Sequence, residues 1–301
     1  MQRIKHILEY LFVLGLIEIV RLIGKTRINS FAKALSVIIF LFPKHRKRVT
    51  ENLRASFPEL PAKKIKKIAK ESYQNFVLSI LEFIEIAELK KEEIEGRVEV
   101  YGLSNLEKAV SDGKGVIMAT VHLGNWEMMG RVLTSKGYKL NVIARKQRNE
   151  LVERLIREKR QKAGFGVIYS ESAKVDVLKA LSSKEIVAIL IDQDAGRGGV
   201  FVDFFGRPAS TTPSPIIFST RTGAPIIPFY NIRKKDGSLR VMIEEPFLLK
   251  NEGTIKRDIA LNLEALTKKF EEVIREHPDQ WFWLHNRWAT KNSHQQSAIS
   301  Q

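Results

Sequence analysis

The sequence predicts an α/β fold in which a mostly parallel central sheet is flanked by helices. Short apolar runs that are rich in β-branched residues recur between residues 115 and 243. Helical stretches separate most of these runs. Such alternation favours a parallel sheet, because parallel strands need a crossover connection that is usually a helix.

Individual strands can be placed from this pattern. They are predicted at residues 115–121, 140–144, 167–169, 186–191, 224–232 and 239–243. The last two should form a hairpin, since Lys235-Asp236-Gly237-Ser238 between them is a favourable turn sequence.

Two long helices are predicted outside the alternating region. Residues 62–88 follow a proline-containing turn at 57–61 and carry an apolar stripe at helical spacing, which should pack on the core. The stripe consists of Ile65, Ala69, Tyr73, Phe76 and Ile80. Residues 256–277 form the last predicted helix, and the polar tail 291–301 is expected to fray.

Positive charge is concentrated near the N-terminus. The first 70 residues hold sixteen lysines and arginines but four acidic residues, and the whole chain has a formal net charge of +16. These basic residues lie among the apolar segments 7–23 and 31–42. Basic side chains attract anionic lipid headgroups while apolar helix faces enter the acyl region, so this composition favours a membrane anchor.

The anchor is predicted to be shallow or singly inserted, because Glu9, Glu18 and Arg21 interrupt the first apolar segment. We therefore divide the chain into a helical membrane-associating region (1–58), an α/β domain that would carry the chemistry (59–290) and a polar tail (291–301). Two alternatives for the N-terminal region stay open: its helices pack on the core, or its charge binds nucleic acid. The intervening leucine, isoleucine and phenylalanine side chains favour lipid over nucleic acid.

The chain contains no cysteine. This excludes disulfides, thiolate metal sites and thiol nucleophiles. Hydrophobic residues at 44% and charged residues at 28% are typical of a folded protein. Any catalytic group must therefore come from other side chains of a folded domain.

His122 is the leading candidate for a catalytic residue, because it follows the predicted buried strand 115–121 and α/β sheets form their sites at strand carboxyl ends. Asn125 is a predicted helix cap, and Glu127 would lie in the first helical turn, where the helix dipole favours a carboxylate. Gly124 would allow a tight turn in which the imidazole reaches Glu127. We expect His122 to be a general base whose tautomer Glu127 fixes. The alternative is a loop histidine and a helix-start carboxylate without catalytic roles.

A second group of polar residues follows the strand at 186–191. Asp192 begins the glycine-rich loop 192–199, which with the apolar segment 200–208 could shape a ligand pocket. The Asp-x-Asp start of this loop lacks the later ligands of a calcium site, so no metal is expected.

Other candidates carry weaker signals. Arg145 ends another strand, and Arg160 lies on the following helix among charges that are mostly expected to face solvent. The segment 281–288 (Trp-Phe-Trp-Leu-His-Asn-Arg-Trp) is dense in aromatic residues. It is expected to be core or membrane interface, with His285 in a structural role.

Four segments, taken together in this order, resemble the bacterial lipid A late acyltransferases, the family of lauroyl and myristoyl transferases. They are 122–127 (His-Leu-Gly-Asn-Trp-Glu), 192–199 (Asp-Gln-Asp-Ala-Gly-Arg-Gly-Gly), 204–208 (Phe-Phe-Gly-Arg-Pro) and 281–288. The first segment alone is shared in looser form with glycerolipid acyltransferases, whereas the four together are highly specific. The resemblance covers nearly the whole chain, including the basic, apolar N-terminal part.

The resemblance implies a glycerolipid-acyltransferase-like fold and a fatty acyl transfer. The fatty acyl group would move from an acyl carrier protein thioester to a hydroxyl of a lipid A precursor, at the cytoplasmic face of the inner membrane. Neither a metal nor a cofactor is implied. In the family, the motif histidine is the general base and the acidic residue its partner, which carries onto His122 and Glu127.

The resemblance also assigns substrate-binding residues. Arg160 and Asp192 match an arginine and an acidic residue of the family. Where the family often has Tyr-Arg-Pro and then Asn-Pro, this chain has Ala144-Arg145-Lys146 and Asn149-Glu150. Arg145 and Asn149 still match, but the departure leaves the donor or acceptor preference open.

Further binding roles follow from the chemistry of acyl transfer. Candidate donors to the developing oxyanion are a loop N–H near Gly124, the Asn125 amide and Arg160. Arg207 could hold an acceptor phosphate, because a guanidinium fork matches phosphate oxygens. The basic surface would attract an acidic carrier protein and anionic inner-membrane lipids.

Two other functions remain possible at the level of sequence. One is an acyl-CoA-dependent acyltransferase for another glycolipid, such as a phosphoinositide mannoside. The other is a non-catalytic basic module that binds membranes or nucleic acid, although no nucleic-acid partner is expected.

Overall fold

A computed structural model describes residues 2–24 and 27–291 of the protein. It begins with four helices: α1 (Gln2–Ile23), α2 (Ile28–Phe40), α3 (Pro43–Ser56) and α4 (Ala62–Glu85). A 3₁₀ turn, Ile86–Glu88, extends α4 to the predicted end at residue 88, and the short α5 (Lys91–Glu95) leads into the sheet. The predicted tail lies outside the described residues beyond Lys291.

The strands of the described residues alternate with helices as predicted. They are β1 (Val98–Tyr101), β2 (Val116–Thr120), β3 (Leu140–Ala144), β4 (Phe165–Tyr169), β5 (Ile186–Leu190), β6 (Val200–Asp203), β7 (Pro208–Thr211), β8 (Ile226–Arg233) and β9 (Leu239–Ile243). The central sheet has the order β1-β9-β8-β2-β5-β3-β4, and within it only the β8–β9 pair is antiparallel. The mostly parallel sheet and the β8–β9 hairpin are therefore confirmed.

Helices cover both faces of this sheet. They are α6 (Leu103–Ser111), α7 (Trp126–Ser135), α8 (Glu150–Lys162), α9 (Ala173–Ser182), α10 (Ser214–Thr222) and α11 (Ile255–Glu276). Side chains of β2 alternate between the two sides: Val116 and Met118 pack with α6 and α7, whereas Ile117 and Ala119 pack with α9, α10 and α11. Burial on both faces explains why β2 is apolar without interruption.

Two strand features were not predicted. β1 is a four-residue edge strand that pairs with β9 through Val98 and Leu239, and Glu99 interrupts its apolar pattern. β6 and β7 form a separate antiparallel hairpin. Such short strands show too few residues for a periodic signal, so only their pairing reveals them.

The N-terminal helices pack on the α/β domain. Ile17 and Val20 of α1, with Ala32 of α2, join Leu78 and Leu81 of α4 in one apolar cluster. In residues 2–24 and 27–291, no helix combines the length and the apolar character needed to cross a bilayer. The charges that interrupt the apolar segment of α1 are Glu9, Glu18 and Arg21. A shallow surface anchor requires no spanning helix and stays a prediction.

The parallel register brings two loops together at one edge of the sheet. Thr120 of β2 is paired with Leu190 of β5, and the Ile191 N–H continues this ladder to the Thr120 carbonyl. His122 and Asp192 each follow their paired strand end by two residues. They consequently leave the sheet side by side.

Candidate active site

The loop after β2 holds His122 in one orientation. Gly124 has a φ of +59°, and a Cβ at this position would lie 2.3 Å from Asn231 Oδ1, so the turn requires glycine. The Gly124 N–H donates to the Gln280 carbonyl at 3.1 Å, and the Phe282 N–H donates to the His122 carbonyl at 3.1 Å. The loop is therefore fixed by β8 on one side and by residues 280–282 on the other.

Asp192 binds His122 through both carboxylate oxygens. Its Oδ1 lies 2.8 Å from His122 Nδ1, and its Oδ2 accepts the His122 backbone N–H at 2.8 Å. Asp192 is 4% exposed. Burial opposes the charged carboxylate, but the imidazole and the hydrogen bonds outweigh this and hold the pKa of Asp192 below its ordinary value. An ionised carboxylate only accepts, so Nδ1 carries a proton, and in the neutral imidazole the lone pair is on Nε2.

The His122 Nε2 atom faces Gln193. The Gln193 side-chain amide nitrogen lies 3.4 Å from it, in position to donate a weak hydrogen bond. Trp126 packs edge-on against the imidazole, with ring centroids 5.0 Å apart, and Phe282 lies on another side at 6.0 Å. Gln193 and the two aromatic residues were not predicted as site residues. The sequence did offer a signal for each of them. Gln193 directly follows Asp192, and Trp126 and Phe282 lie within the motifs at 122–127 and 281–288.

The predicted pairing of His122 with Glu127 differs from the observed one. Glu127 lies in the first turn of α7, as predicted, but its carboxylate binds Arg160 of α8 in a bidentate ion pair. The shorter contact, Arg160 Nη2 to Glu127 Oε1, is 2.6 Å. Burial alone would lower the pKa of Arg160, but Glu127 outweighs it and raises the pKa. Asp192, which was expected only as a substrate-binding residue, takes the place beside His122.

Asn125 has a structural position that excludes direct contact with a ligand in the cavities. Its side chain is fully buried and caps α7 by accepting the Met128 N–H, which confirms the predicted cap. Its Nδ2 donates to Glu82 at 2.6 Å, and its backbone N–H donates to Asn231 Oδ1 at 2.9 Å. The backbone N–H groups of Gly124 and Asn125 are thus both engaged within the protein.

The remaining predicted arginines occupy different places. Arg145 follows β3 and lines a cavity together with His122. Arg207 lies between β6 and β7, where its guanidinium stacks 4.1 Å from the ring centre of Trp288, and burial lowers its pKa. Arg207 is not one of the described residues that line the two cavities at His122.

Asn149 links α8 to α1. It caps α8 by accepting the Leu151 N–H, and its Nδ2 donates to the His6 carbonyl at 2.8 Å and to Glu9 at 3.0 Å. This contact holds α1 beside the loop that contains Arg145.

Two cavities meet at His122. A polar cavity of about 470 Å³ lies towards the loops after β3 and β5, and its lining includes Arg145, Arg160 and Gln193. An apolar cavity of about 350 Å³ runs between α1, α4 and α8. Its lining includes Val13, Leu16, Ile17, Ile80, Phe83, Leu155, Ile156 and Phe282. Both volumes fall in the range of roughly 300–1,000 Å³ that is usual for ligand sites.

The loop after Asp192 is held by buried polar groups. Asp194 accepts hydrogen bonds from Thr290, and its backbone N–H donates to His285 Nε2 at 2.9 Å. Arg287 is fully buried, donates to the carbonyls of Gln193 and Ser210, and has a pKa lowered to about 10 by burial. These contacts give His285 the structural role expected from the sequence.

No group of three or more metal-ligating carboxylate or imidazole side chains occurs within residues 2–24 and 27–291. The site combines an imidazole, a buried carboxylate and a salt-bridged arginine around two cavities.

Comparisons with known proteins agree on one family. A family model described as bacterial lipid A biosynthesis acyltransferase matches residues 2–290. A phosphatidylinositol mannoside acyltransferase from Mycobacterium tuberculosis (strain CDC 1551 / Oshkosh) is 29% identical over 204 residues, which are 66% of this chain and 62% of that protein. A lipid A biosynthesis lauroyltransferase from Escherichia coli (strain K12) is 28% identical over 196 residues, which are 64% of this chain and 62% of that protein.

A longer match extends over most of the sequence. Lipid A biosynthesis acyltransferase 2 from Shigella flexneri is 24% identical over 287 residues, which are 94% of this chain and 90% of that protein. The chain spans less than two thirds of the length of the first two relatives, but the family model covers it almost from end to end. The protein therefore belongs to the bacterial lipid A biosynthesis acyltransferase family.

Proposed function

We propose that this protein is a membrane-surface O-acyltransferase that moves a fatty acyl chain from an acyl carrier protein thioester to a hydroxyl of a lipid A precursor. The observation that carries this proposal is the position of His122. Its Nδ1 is held by buried Asp192, while its ring lines both an apolar and a polar cavity. A fatty chain and a polar acceptor can therefore meet at one base.

The reaction begins with the acceptor hydroxyl in the polar cavity. Its oxygen attacks the thioester carbonyl carbon as its proton passes to His122 Nε2, and Asp192 stabilises the imidazolium that forms. The tetrahedral intermediate then collapses, the carbon–sulfur bond breaks, and the departing thiolate takes the proton from the imidazolium. The products are an ester and a free carrier thiol, so no cofactor is consumed.

Developing negative charge on the carbonyl oxygen needs a donor in the cavities. Arg160 and Gln193 line both of them. Glu127 holds Arg160 by a bidentate contact, so we assign Glu127 the role of positioning Arg160. This replaces its expected role as the partner of His122.

The fatty chain of the donor is assigned to the apolar cavity. Phe83, Leu155 and Ile156 line this cavity, and Leu16 of α1 contributes to its wall. Burial of a chain against these side chains would stabilise binding in proportion to the apolar area that leaves water.

The acceptor is assigned an anionic headgroup because of the loop between β3 and α8. A third cavity, of about 810 Å³, lies between this loop and α1. Arg145 and Arg148 line it and form no ion pair with a carboxylate of residues 2–24 and 27–291. These guanidinium groups are suited to phosphate oxygens. They take the role that the sequence had suggested for Arg207.

Membrane contact is assigned to residues 1–58 on the basis of the surface of α1 and α2, with residues 59–290 as the catalytic domain. Exposed apolar side chains on these helices are Ile4, Ile7, Leu8, Leu11, Phe12, Ile19, Leu22, Val37 and Ile38. Basic residues lie between them and would each contribute about 1 kcal/mol of attraction to anionic lipid. We propose that the helices lie on the cytoplasmic face of the inner membrane without crossing it.

The decisive experiment is acyl transfer by the purified protein. Given an acyl carrier protein thioester and a tetraacylated lipid A precursor, the protein should form a product heavier by one acyl chain in mass spectrometry. The variant His122→Ala should lower turnover by about 10³-fold or more, and His277→Ala serves as the matched control on another element. Glu127→Gln should be less severe than His122→Ala. Undiminished turnover in His122→Ala would remove the base from the mechanism.

A second acceptor has specific support. The mycobacterial relatives at 27–29% identity are phosphatidylinositol mannoside acyltransferases, so a phosphoinositide mannoside with acyl-CoA as donor is the alternative. Assays with both acceptors, each with carrier protein thioester and with acyl-CoA, separate the two: the preferred pair is the one with the higher kcat/KM.

A further inference from the structure

Trp281 is the residue that completes the hydrogen bonding of Asp192. Its indole Nε1–H donates to Asp192 Oδ2 at 2.7 Å, and the same oxygen accepts the His122 backbone N–H. The other oxygen accepts His122 Nδ1. Trp281 is 1% exposed, so this contact is shielded from water.

The backbone around Trp281 holds the same loop. Leu123 and Trp281 form an isolated antiparallel bridge. Hydrogen bonds on either side of it join Gly124 to Gln280 and His122 to Phe282. The segment that carries the indole is therefore in register with the segment that carries the imidazole.

We infer that Trp281 is a positioning residue for the His122–Asp192 pair, because its indole fixes the carboxylate while the backbone of its neighbours Gln280 and Phe282 fixes the histidine loop. This inference rests on the proposed function for its catalytic consequence. The geometry itself is independent of that function.

The chemical effect of the indole has a definite sign. A buried carboxylate with fewer donors is a more favourable site for proton uptake, either on itself or on the imidazole that it binds. Loss of the Trp281 N–H should thus make the pair protonate at higher pH. Since the pair must be unprotonated at Nε2 to act as a base, the acid limb of the pH–rate profile should move upwards.

Trp283 provides a matched control in the same aromatic cluster. It is also 1% exposed, and its ring centre lies 4.6 Å from that of Trp281. Its indole N–H donates to the Pro278 carbonyl at 2.6 Å and not to Asp192. Replacement of either tryptophan by phenylalanine removes the same atoms from the same core.

The first test compares Trp281→Phe with Trp283→Phe in the full chain. Trp281→Phe should lower kcat by roughly 10-fold or more, with little change in KM, and should shift the acid limb upwards by about one pH unit. Trp283→Phe should leave the profile in place. Equal losses in both variants with an unshifted profile would reduce Trp281 to a packing residue, and a wild-type profile in Trp281→Phe would overturn the inference.

The second test needs neither a stable variant at position 281 nor catalysis. The chain has four tryptophans, so ¹⁵N-labelled indole groups give few resonances. The Trp281 indole signal of the wild-type chain should titrate with the His122–Asp192 pair and should lose this response in His122→Gln, whereas the Trp283 signal should not titrate with the pair. A Trp281 indole signal that neither shifts with pH in the wild-type chain nor differs in His122→Gln contradicts the inference. If the wild-type protein transfers no acyl group, the proposed function fails, and this titration still decides the role of Trp281.

Discussion

Asp192 determines which nitrogen of His122 is free to act. Its carboxylate accepts from Nδ1 and from the backbone N–H of His122. Rotation of the ring would break the Nδ1 hydrogen bond, while the backbone hydrogen bond keeps the carboxylate in place. A carboxylate in this position fixes the tautomer and stabilises the imidazolium. Asp192 is therefore the residue on which the orientation of the base depends.

Asp192→Asn should lower kcat by about 10³-fold or more, because an amide can donate to Nδ1 and move the ring proton to Nε2. Steady-state kinetics with the acyl carrier thioester would measure this loss. Asp194→Asn is the control, since Asp194 binds Thr290 and not His122. Activity of Asp192→Asn within tenfold of wild type would show that tautomer control is unimportant.

His285 should make the fold sensitive to acid. Burial lowers its pKa from 6.5 to about 4, and its Nε2 must stay unprotonated to accept the Asp194 N–H. Between pH 6.5 and 4 the unfolded chain binds more protons at this residue than the folded one does, so stability falls as pH is lowered through this window.

His285→Gln removes this linkage and retains an acceptor for the Asp194 N–H. The loss of unfolding free energy between pH 7 and pH 5, measured with urea, should therefore be smaller in His285→Gln than in wild type. The exposed His45→Gln serves as a control that should follow wild type. An identical pH dependence in His285→Gln and wild type would contradict the assignment.

The turn between β2 and α7 is the structural element that delivers His122 to the site. Asn125 caps α7, and Gly124 takes the left-handed conformation that lets the chain turn against Asn231. The buried network behind it joins Asn125 to Glu82, and Glu82 to Arg233. This element was predictable in kind from its glycine and cap, but its tight contact with β8 was not.

Gly124→Ala tests the fit of this element. Its Cβ would overlap Asn231 at a positive φ, whereas Gly137 has a φ of +88° with no atom near its Cβ position. Gly124→Ala and the control Gly137→Ala should each lower the free energy of unfolding by about 1–3 kcal/mol through backbone strain. Gly124→Ala should lower it by roughly 1–3 kcal/mol more through overpacking. Urea unfolding measures both. Equal losses would mean that the contact with Asn231 relaxes freely.

At the scale of the whole molecule, α1 has two faces with different tasks. Its inner residues Val13, Leu16 and Ile17 line the apolar cavity, and Asn149 ties it to α8. Its outer face exposes Leu11 and Leu22, the latter 86% exposed. One helix, α1, thus provides both a wall of the proposed acyl site and part of the proposed membrane-binding surface.

The double variant Leu11→Asp with Leu22→Asp should bind anionic phospholipid vesicles more weakly, by about tenfold or more, because it removes apolar area and adds negative charge. Vesicle co-sedimentation measures the change. Val175→Asp with Leu248→Asp is the control, since these side chains are similarly exposed on other elements. The same vesicle affinity in both double variants would show that the outer face of α1 does not contribute to membrane binding.

The sequence by itself determined the α/β class, the main strands, the capped helix after His122 and the basic, apolar character of α1 and α2. These features depend on local periodicity, on caps and turns, and on composition, all of which act between residues close in the chain. His122 was identifiable because it follows an uninterrupted apolar strand.

The partner of His122 was decided only by the tertiary structure. Glu127 is five residues from His122 and was predicted to bind it, yet Asp192 is the residue that does so, because the parallel register pairs Thr120 with Leu190. Glu127 instead forms an ion pair with Arg160 of α8. Trp281, 89 residues after Asp192 in the sequence, donates a hydrogen bond to the Asp192 carboxylate. Strand order and register are set by packing across the whole core, so no local pattern in the sequence contains them.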